Sequence, residues 1–547
     1  MILSVVSFGW IFITTFLLGY AVMKLLLGNA GVKYDIDLVL VTGLMAATVY
    51  AEAVSVFGPV NLGASVGLGI TSMIIFGMMR KEIISYMRST VKEKRIWAYF
   101  ALIVVLGAGG VISSFAPTVY DTGLYHAQAV RWINEYGCVK GLGNLHNRFA
   151  YNSSFLCLQA LYNWKFLGEQ LHSMNAYISV LMIGYAFLSF KFFRQRNEVM
   201  GDVMSLAVIL YTGCAVYTVS SPNTDYFAMV LVGYIISKWF RCRSDEQRSV
   251  LCLLGIFCAT VKLSTSMMVI LSVPVFMKLA RDRKWKFISV WGVAGCITVS
   301  VFLIRNIIIS GYILYPYAQL DFFHVDWKMP KELVVFDHNE IIVWGRNLND
   351  VRKYDWGIES WFPIWWETLT KAQMFLCVMN IVCFIILGAE CIICYAKHKN
   401  KEWILIWITS IFCLSAWLFS APLIRYGRIY LYFQPLILLG IVIENAKKII
   451  IRWIGMLCCC AVCMYSAFLT GGYILNNEKI SIIYPAEYPV WECSANDFYG
   501  ILVYTCEDGD RTGWNCFPSI PYKKTLEAIE LRGGSLKEGF KAKQQEQ

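Results

Sequence analysis

Charge is scarce in this chain. Only 16% of its 547 residues are Asp, Glu, Lys or Arg, against roughly 25% in soluble domains, which excludes a protein dissolved mostly in water. Internal symmetry is also missing, and with it the matched broken spans by which many secondary transporters are recognised. No positively charged segment precedes the first apolar run and no small-residue cleavage site follows it, so an uncleaved span is expected there. No Cys or His spacing resembles a zinc site. The net charge of +11 is spread over short loops and forms no concentrated stripe, which argues against nucleic acid as a partner.

What is present is hydrocarbon. Hydrophobic residues make up 58% of the chain, with a mean hydropathy of +0.55. Roughly fourteen apolar runs approach the length of about 20 residues that crosses a bilayer as a helix. They fall near 3–27, 37–57, 60–79, 97–114, 172–190, 201–219, 224–240, 249–263, 264–280, 287–309, 372–396, 403–420, 427–444 and 453–475. The expected fold class is therefore all-α, a polytopic transmembrane helix bundle in a cell membrane. Lys262 interrupts the stretch 249–280, which reads either as a tight hairpin or as one long kinked span.

Lys and Arg accumulate in cytoplasmic loops. Arg80, Lys81, Arg88, Lys92, Lys94 and Arg95 form one cluster, and Lys191, Arg194 and Arg196 a second. Lys238, Arg241, Arg243 and Arg248 follow, then Lys278, Arg281, Arg283, Lys284 and Lys286. Lys397, Lys399 and Lys401, then Lys447, Lys448 and Arg452, complete the set. The clusters alternate between span ends, where basic anchors meet anionic headgroups of the membrane lipid. Six regions result: spans in 1–114, an outer loop at 115–170, spans in 171–310, an aromatic-rich outer loop at 311–371, spans in 372–475, and a polar outer tail at 476–547. The tail is expected to be a small cap with a disordered end.

Most of the nineteen cysteines lie in the spans, where Cys acts as a small apolar residue. Cys138, Cys493, Cys506 and Cys516 fall on the outer side, where an oxidising compartment lets thiols pair; the sequence leaves the pairing open.

The outer loops carry the chemistry. In Pro117–Gly137 Asp121 heads a helical pattern whose Tyr125, Ala129, Trp132, Ile133 and Tyr136 share an apolar face opposite Gln128, Arg131 and Glu135. That amphipathic helix is expected to lie in the membrane interface, followed by a half-apolar lid or re-entrant helix over 152–167. Asp121 has the spacing of an N-cap, and Asp225 that of a first-turn acid favoured by the helix dipole; alternatively, both face one cavity. Lys262, Arg305, Arg425 and Arg428 sit at the outer edges of spans, either snorkelling or converging on a phosphorylated headgroup that a guanidinium grips bidentately. Trp356, Trp361, Trp365 and Trp366 in the second loop suit either sugar stacking or an interfacial belt. Five of the six histidines, His126, His146, His172, His324 and His338, lie on or near this face.

Taken in order, Y-D-T-G-L-Y-H-x-Q-x-x-x-W, G-L-G-N-L-H-x-R (Gly141 to Arg148), N-S-S (Asn152 to Ser154), the later acid, A-T-x-K-L-S, R-N-x-x-x-S-G-Y-x-L-Y-P and the late R-Y resemble the GT-C superfamily of integral membrane glycosyltransferases. The nearest resemblance is to bacterial polytopic proteins that carry the Y-D-T-G-L-Y-H motif. The resemblance implies transfer of a sugar, with inversion, from a polyprenyl-phosphate donor to a cell-envelope glycan, lipid or protein acceptor on the outer face. It implies Asp121 as the catalytic acid, Asp225 as a second acid, and Lys262, Arg305 and Arg425 as donor-phosphate ligands. Tyr125, His126, Arg148 and Tyr315 would line the substrate. The superfamily's two adjacent acids are here one acid followed by Thr122, and four apolar runs precede the motif where one span is common. No metal ligand set and no cofactor is assigned, and a divalent ion, Mg or Mn, is left open. Alternatives are a flippase for a lipid-linked saccharide, an O-antigen-type polymerase or ligase using Arg346, Arg352, His324 and His338, and a structural scaffold.

Overall fold

The computed structural model describes residues 1–28, 34–92, 96–167, 171–191, 198–397, 401–446, 449–477 and 479–543. Of the orienting basic residues, Lys94, Arg95, Arg194, Arg196, Lys399, Lys447 and Lys448 lie outside the described residues, as does the end of the tail from 544.

Apolar side chains leave a peptide backbone in hydrocarbon only itself as hydrogen-bond partner, and the chain answers with helices. Among the described residues nine helices are long and apolar enough to cross a membrane, from Ile2–Leu27 and Ile36–Phe57 to Ile424–Asn445 and Trp453–Asn476. The other expected spans are helices of 16 or 17 residues: Ile96–Ile112, Met174–Ser189, Val199–Cys214, Thr224–Trp239 and Asp245–Val261. At 1.5 Å per residue these rise roughly 24–26 Å, short of the ~30 Å hydrocarbon core.

The doubtful stretch 249–280 is a hairpin. Lys262 leaves the Asp245–Val261 helix in an extended conformation, φ −153° and ψ 121°, and a 3-10 helix, Leu263–Leu271, turns back along it. Cys252 Sγ donates to Leu271 O at 3.4 Å across the hairpin.

Ion pairs at one end of the bundle join the segments expected to be cytoplasmic. Lys238 Nζ lies 2.7 Å from both Asp35 and Asp37, Arg241 2.9 Å from Asp202, and Lys24 2.5 Å from Glu82. At the other end the expected outer segments meet one another: Gly141 N donates to Ile308 O at 2.8 Å, Phe540 N to Lys140 O at 3.0 Å and Ile2 N to Ile482 O at 2.8 Å.

The tail departs from an all-α expectation. It forms strands β1 (Cys493–Phe498), β2 (Ile501–Cys506), β3 (Ser519–Ile520), β4 (Ile529–Leu531) and β5 (Phe540–Ala542). The first three make a sheet, β1 antiparallel and β3 parallel to β2, while β4 and β5 pair antiparallel.

This cap corrects the expectation for the amphipathic helix. Ala127–Glu135 does not turn its Trp to lipid headgroups, because Trp132 is fully buried, its ring 4.9 Å from Phe517 and 6.0 Å from Phe540 of the cap. The polar face is roofed as well: Gln128 donates to the carbonyls of Gly513 and Cys516, and Arg131 to that of Trp514. The following helix, Ser154–Tyr162, is buried throughout its nine residues, far too short for a crossing.

Candidate functional site

Four charged residues from four segments meet beneath this outer layer. Asp121 stands before a π-helical turn, Thr122–His126, in helical conformation, and its side chain makes no cap bond. The N-cap explanation therefore falls, and the Thr122 hydroxyl does not substitute, having no hydrogen-bond partner in the structure. The carboxylate instead faces Arg425 Nη2 at 2.9 Å.

Asp225 sits in the first turn of Thr224–Trp239, but the capping is done by Asn223, whose side-chain oxygen accepts from Tyr226 N at 3.0 Å. That frees Asp225 to pair with Lys262 and to lie 3.5 Å from Arg425 Nε. The extended break at Lys262 lifts its ammonium out of helical register, 3.7 Å above the Tyr426 ring. Arg425 opens the Ile424–Asn445 helix, an unfavourable place for a cation in the helix dipole; the two carboxylates offset that cost. Its guanidinium also covers the Tyr426 ring at 5.0 Å and donates to the Tyr426 hydroxyl at 3.0 Å.

Beside this quartet a cleft of about 350 Å³, its open mouth included, is lined by Val119, Tyr211, Asn223, Asp225, Arg425 and Arg428. Arg428 is oriented by donation to Cys214 O at 3.0 Å.

His126 is 1% exposed and neither ring nitrogen has a hydrogen-bond partner in the structure. Burial pushes its imidazole down to about 4, against the pull of Asp121 and Asp225. Tyr125, its ring 4.3 Å from that of His126, has its phenol held well above the usual range by burial and then by the two carboxylates.

A second polar cluster joins the two outer loops. Tyr125 packs on Tyr151 at 5.5 Å, and Tyr151 on Tyr315 at 5.9 Å. Tyr315 donates to Asp337 at 2.9 Å and Asn147 donates to the same carboxylate at 2.6 Å. Arg148 Nη2 lies 3.3 Å from Glu340. Burial pushes Asp337 up to about 6, opposed by the tyrosine hydroxyls and Arg148. Asp337 escaped the sequence reading because V-V-F-D-H-N-E looks like an exposed helix face; only the tertiary approach of Tyr315 makes it special.

Arg305 lies apart. It does not join the quartet: it is 2% exposed, its Nε donates to Asn152 at 3.0 Å and its Nη1 to Ser55. This tie between spans and the first outer loop leaves it no phosphate-facing surface. Arg346 and Arg352 do not converge either: Arg346 lies 4.9 Å over the Trp361 ring and donates to Tyr354 O, while Arg352 pairs with its neighbour Asp350. Of the loop tryptophans, Trp361 and Trp365 are buried. Trp365 Nε1 donates to Pro422 O at 2.8 Å, bracing the turn that presents Arg425.

The donor set does not fit a divalent cation. Both carboxylates are already faced by Lys262 and Arg425, and among the described residues no group of three His, Cys, Asp or Glu side chains is arranged to hold a metal.

The fold and site thus define a helical bundle, with nine apolar helices of membrane-crossing length among the described residues, that holds a charged cleft under a folded cap. The chain belongs to the family described as Domain of unknown function (DUF8201), which matches residues 1–432 and so includes all four charged residues of the site. No curated protein and no solved structure matches the chain.

Proposed function

We propose that this protein is an inverting membrane glycosyltransferase of GT-C type, with about fourteen spans in a bacterial plasma membrane. It takes a sugar from a polyprenyl-phosphate donor and delivers it, on the outer face, to a glycan, lipid or protein acceptor. The observation that supports this reading is the meeting of Asp121, Asp225, Lys262 and Arg425, from segments far apart in sequence, with Asp225 and Arg425 lining the adjoining cleft.

Asp121 accepts the proton of the acceptor hydroxyl as that oxygen bonds to the anomeric carbon. The bond from that carbon to the phosphate oxygen breaks, and its electron pair leaves with the lipid phosphate. Lys262 and Arg425 offset the charge that develops there. Arg425 is engaged by Asp121, so a donor phosphate competes for the guanidinium and releases the carboxylate to act as base. Binding and base activation are then one event.

The test is transfer of labelled sugar from a panel of polyprenyl-phosphate sugars in proteoliposomes. Asp121→Asn, matched for folding, is expected to lower transfer by about 10²- to 10⁴-fold. Undiminished transfer sinks the role of Asp121. If neither protein transfers sugar and the labelled lipid crosses the bilayer instead, the flippase reading replaces this one.

A further inference from the structure

The cap places three thiols together. Cys493 opens β1 and Cys506 ends β2, directly opposite each other in the antiparallel register. The bond from Glu507 N to Glu492 O, 3.0 Å, makes the neighbouring residues 492 and 507 a hydrogen-bonded pair. Since the two pair types alternate along an antiparallel ladder, Cys493 and Cys506 occupy a non-hydrogen-bonded pair. There Cα atoms stand about 4.5 Å apart, inside the range a disulfide bridges. Their sulfurs are already 3.0 Å apart, about 1 Å from a covalent S–S bond.

Cys516 is the competing partner. It lies close enough to Cys493 to interact with it, but it sits in the loop between β2 and β3, with its carbonyl tied to Gln128 at 2.6 Å and its sulfur accepting from Asn515 at 3.3 Å. Strand pairing fixes Cys493 against Cys506 and does not fix it against Cys516. A zinc site is not the alternative, since no group of three ligating side chains among the described residues can hold a metal.

We propose that Cys493 and Cys506 form a disulfide on the outer face, with Cys516 left as a thiol. The bond forms when the two thiols lose two protons and two electrons to an extracytoplasmic protein disulfide, which becomes a dithiol; the S–S bond made here replaces the one broken there. The cross-link sits at the root of the loop that roofs the candidate site. Beyond Cys506, Thr512 N donates to Gly123 O at 2.7 Å and its hydroxyl to Leu124 O at 2.9 Å, within three residues of Asp121. Locking β1 to β2 fixes the near end of that roof.

The experiment is peptide mapping of the full chain, acid-quenched from intact cells, alkylated with a maleimide and digested without reduction. A Cys493–Cys506 peptide with alkylated Cys516 is expected. In Cys506→Ser, Cys493 is expected to become alkylated and the cap to be cut several-fold faster by protease added outside. A Cys493–Cys516 peptide overturns the assignment, and so do three free thiols. In the latter case a membrane-impermeant maleimide on intact cells separates the causes. Labelling means the cap is outside but unbridged; protection until lysis means the outer-face assignment has failed as well.

Discussion

A histidine buried beside two carboxylates is expected to be cationic, yet His126 is held neutral because burial outweighs their attraction. With its folded value near 4 below an unfolded value near 6.5, its contribution to stability is present above pH 6.5 and is lost as pH falls toward 4. The full effect is about 3 kcal/mol at 1.36 kcal/mol per unit. His146, pushed down to about 3 by burial, works in the same direction. Asp337 works oppositely: raised to about 6, its contribution is present below about 4 and is lost as pH rises through 6. The melting temperature of the purified protein is therefore expected to fall from pH 7.5 to 5, less steeply in His126→Asn and more steeply in Asp337→Asn. Equal slopes in wild type and His126→Asn refute the buried neutral imidazole. Residues of this kind were unequally legible. Asp121, Asp225, Lys262 and Arg425 stood out as charges in an apolar chain, where each needs a partner. Arg305 carried the same signal but found its partners in Ser55 and Asn152, a choice only packing could make.

Between elements, the closest packing is that of the helices Ile2–Leu27 and Ile36–Phe57. A Cβ on Gly19 would overlap Val39 O, and one on Gly43 would overlap Thr15 O. Helices in lipid gain nothing from hiding apolar surface from water, so close backbone approach through small residues is what holds such a pair. Because the obstructing atoms are backbone, Gly43→Val must push the helices apart, with an expected loss of about 3 kcal/mol or more. Gly9, in the same first helix, has nothing near its Cβ position, and Gly9→Val is the control. Recovery of monodisperse protein after detergent extraction should drop for Gly43→Val and hold for Gly9→Val; equal recovery means the two helices do not pack this way. The long helices were readable because an apolar run of that length has few other solutions. The cap strands were not, since C-S-A-N-D-F alternates poorly and its buried positions depend on what it covers. The interfacial reading of Ala127–Glu135 failed for the same reason: Phe517 and Phe540, nearly four hundred residues away, supply the cover that lipid was expected to give.

Over the whole molecule, one end of the bundle is covered by a layer assembled from 115–167, 311–371 and the tail, and its parts depend on one another. Arg532 of the cap reaches Asp326 of the second loop at 2.7 Å. The cap packs on Trp132 and Gln128 of the first loop. The family match ends at 432, so the cap formed by the tail lies outside the matched residues while the charged cleft lies inside them. Truncation after residue 484 should then separate two properties. The bundle keeps its own ion pairs at the opposite end and should remain inserted. The segment 118–136 loses the bond from Thr512 N and those to the carbonyls of Gly513 and Trp514, and with them the placement of Asp121. Limited proteolysis with trypsin should open a cut at Arg131, paired with Glu135 and shielded by Trp514 and Phe517 in the intact chain. Under the proposed glycosyltransferase activity, sugar transfer should fall toward the Asp121→Asn level, because a base displaced by even 1 Å costs on the order of 10²-fold. Resistance at Arg131 in the truncated protein would mean that the first loop orders itself, and the cap would then be an addition to the site, not a part of it.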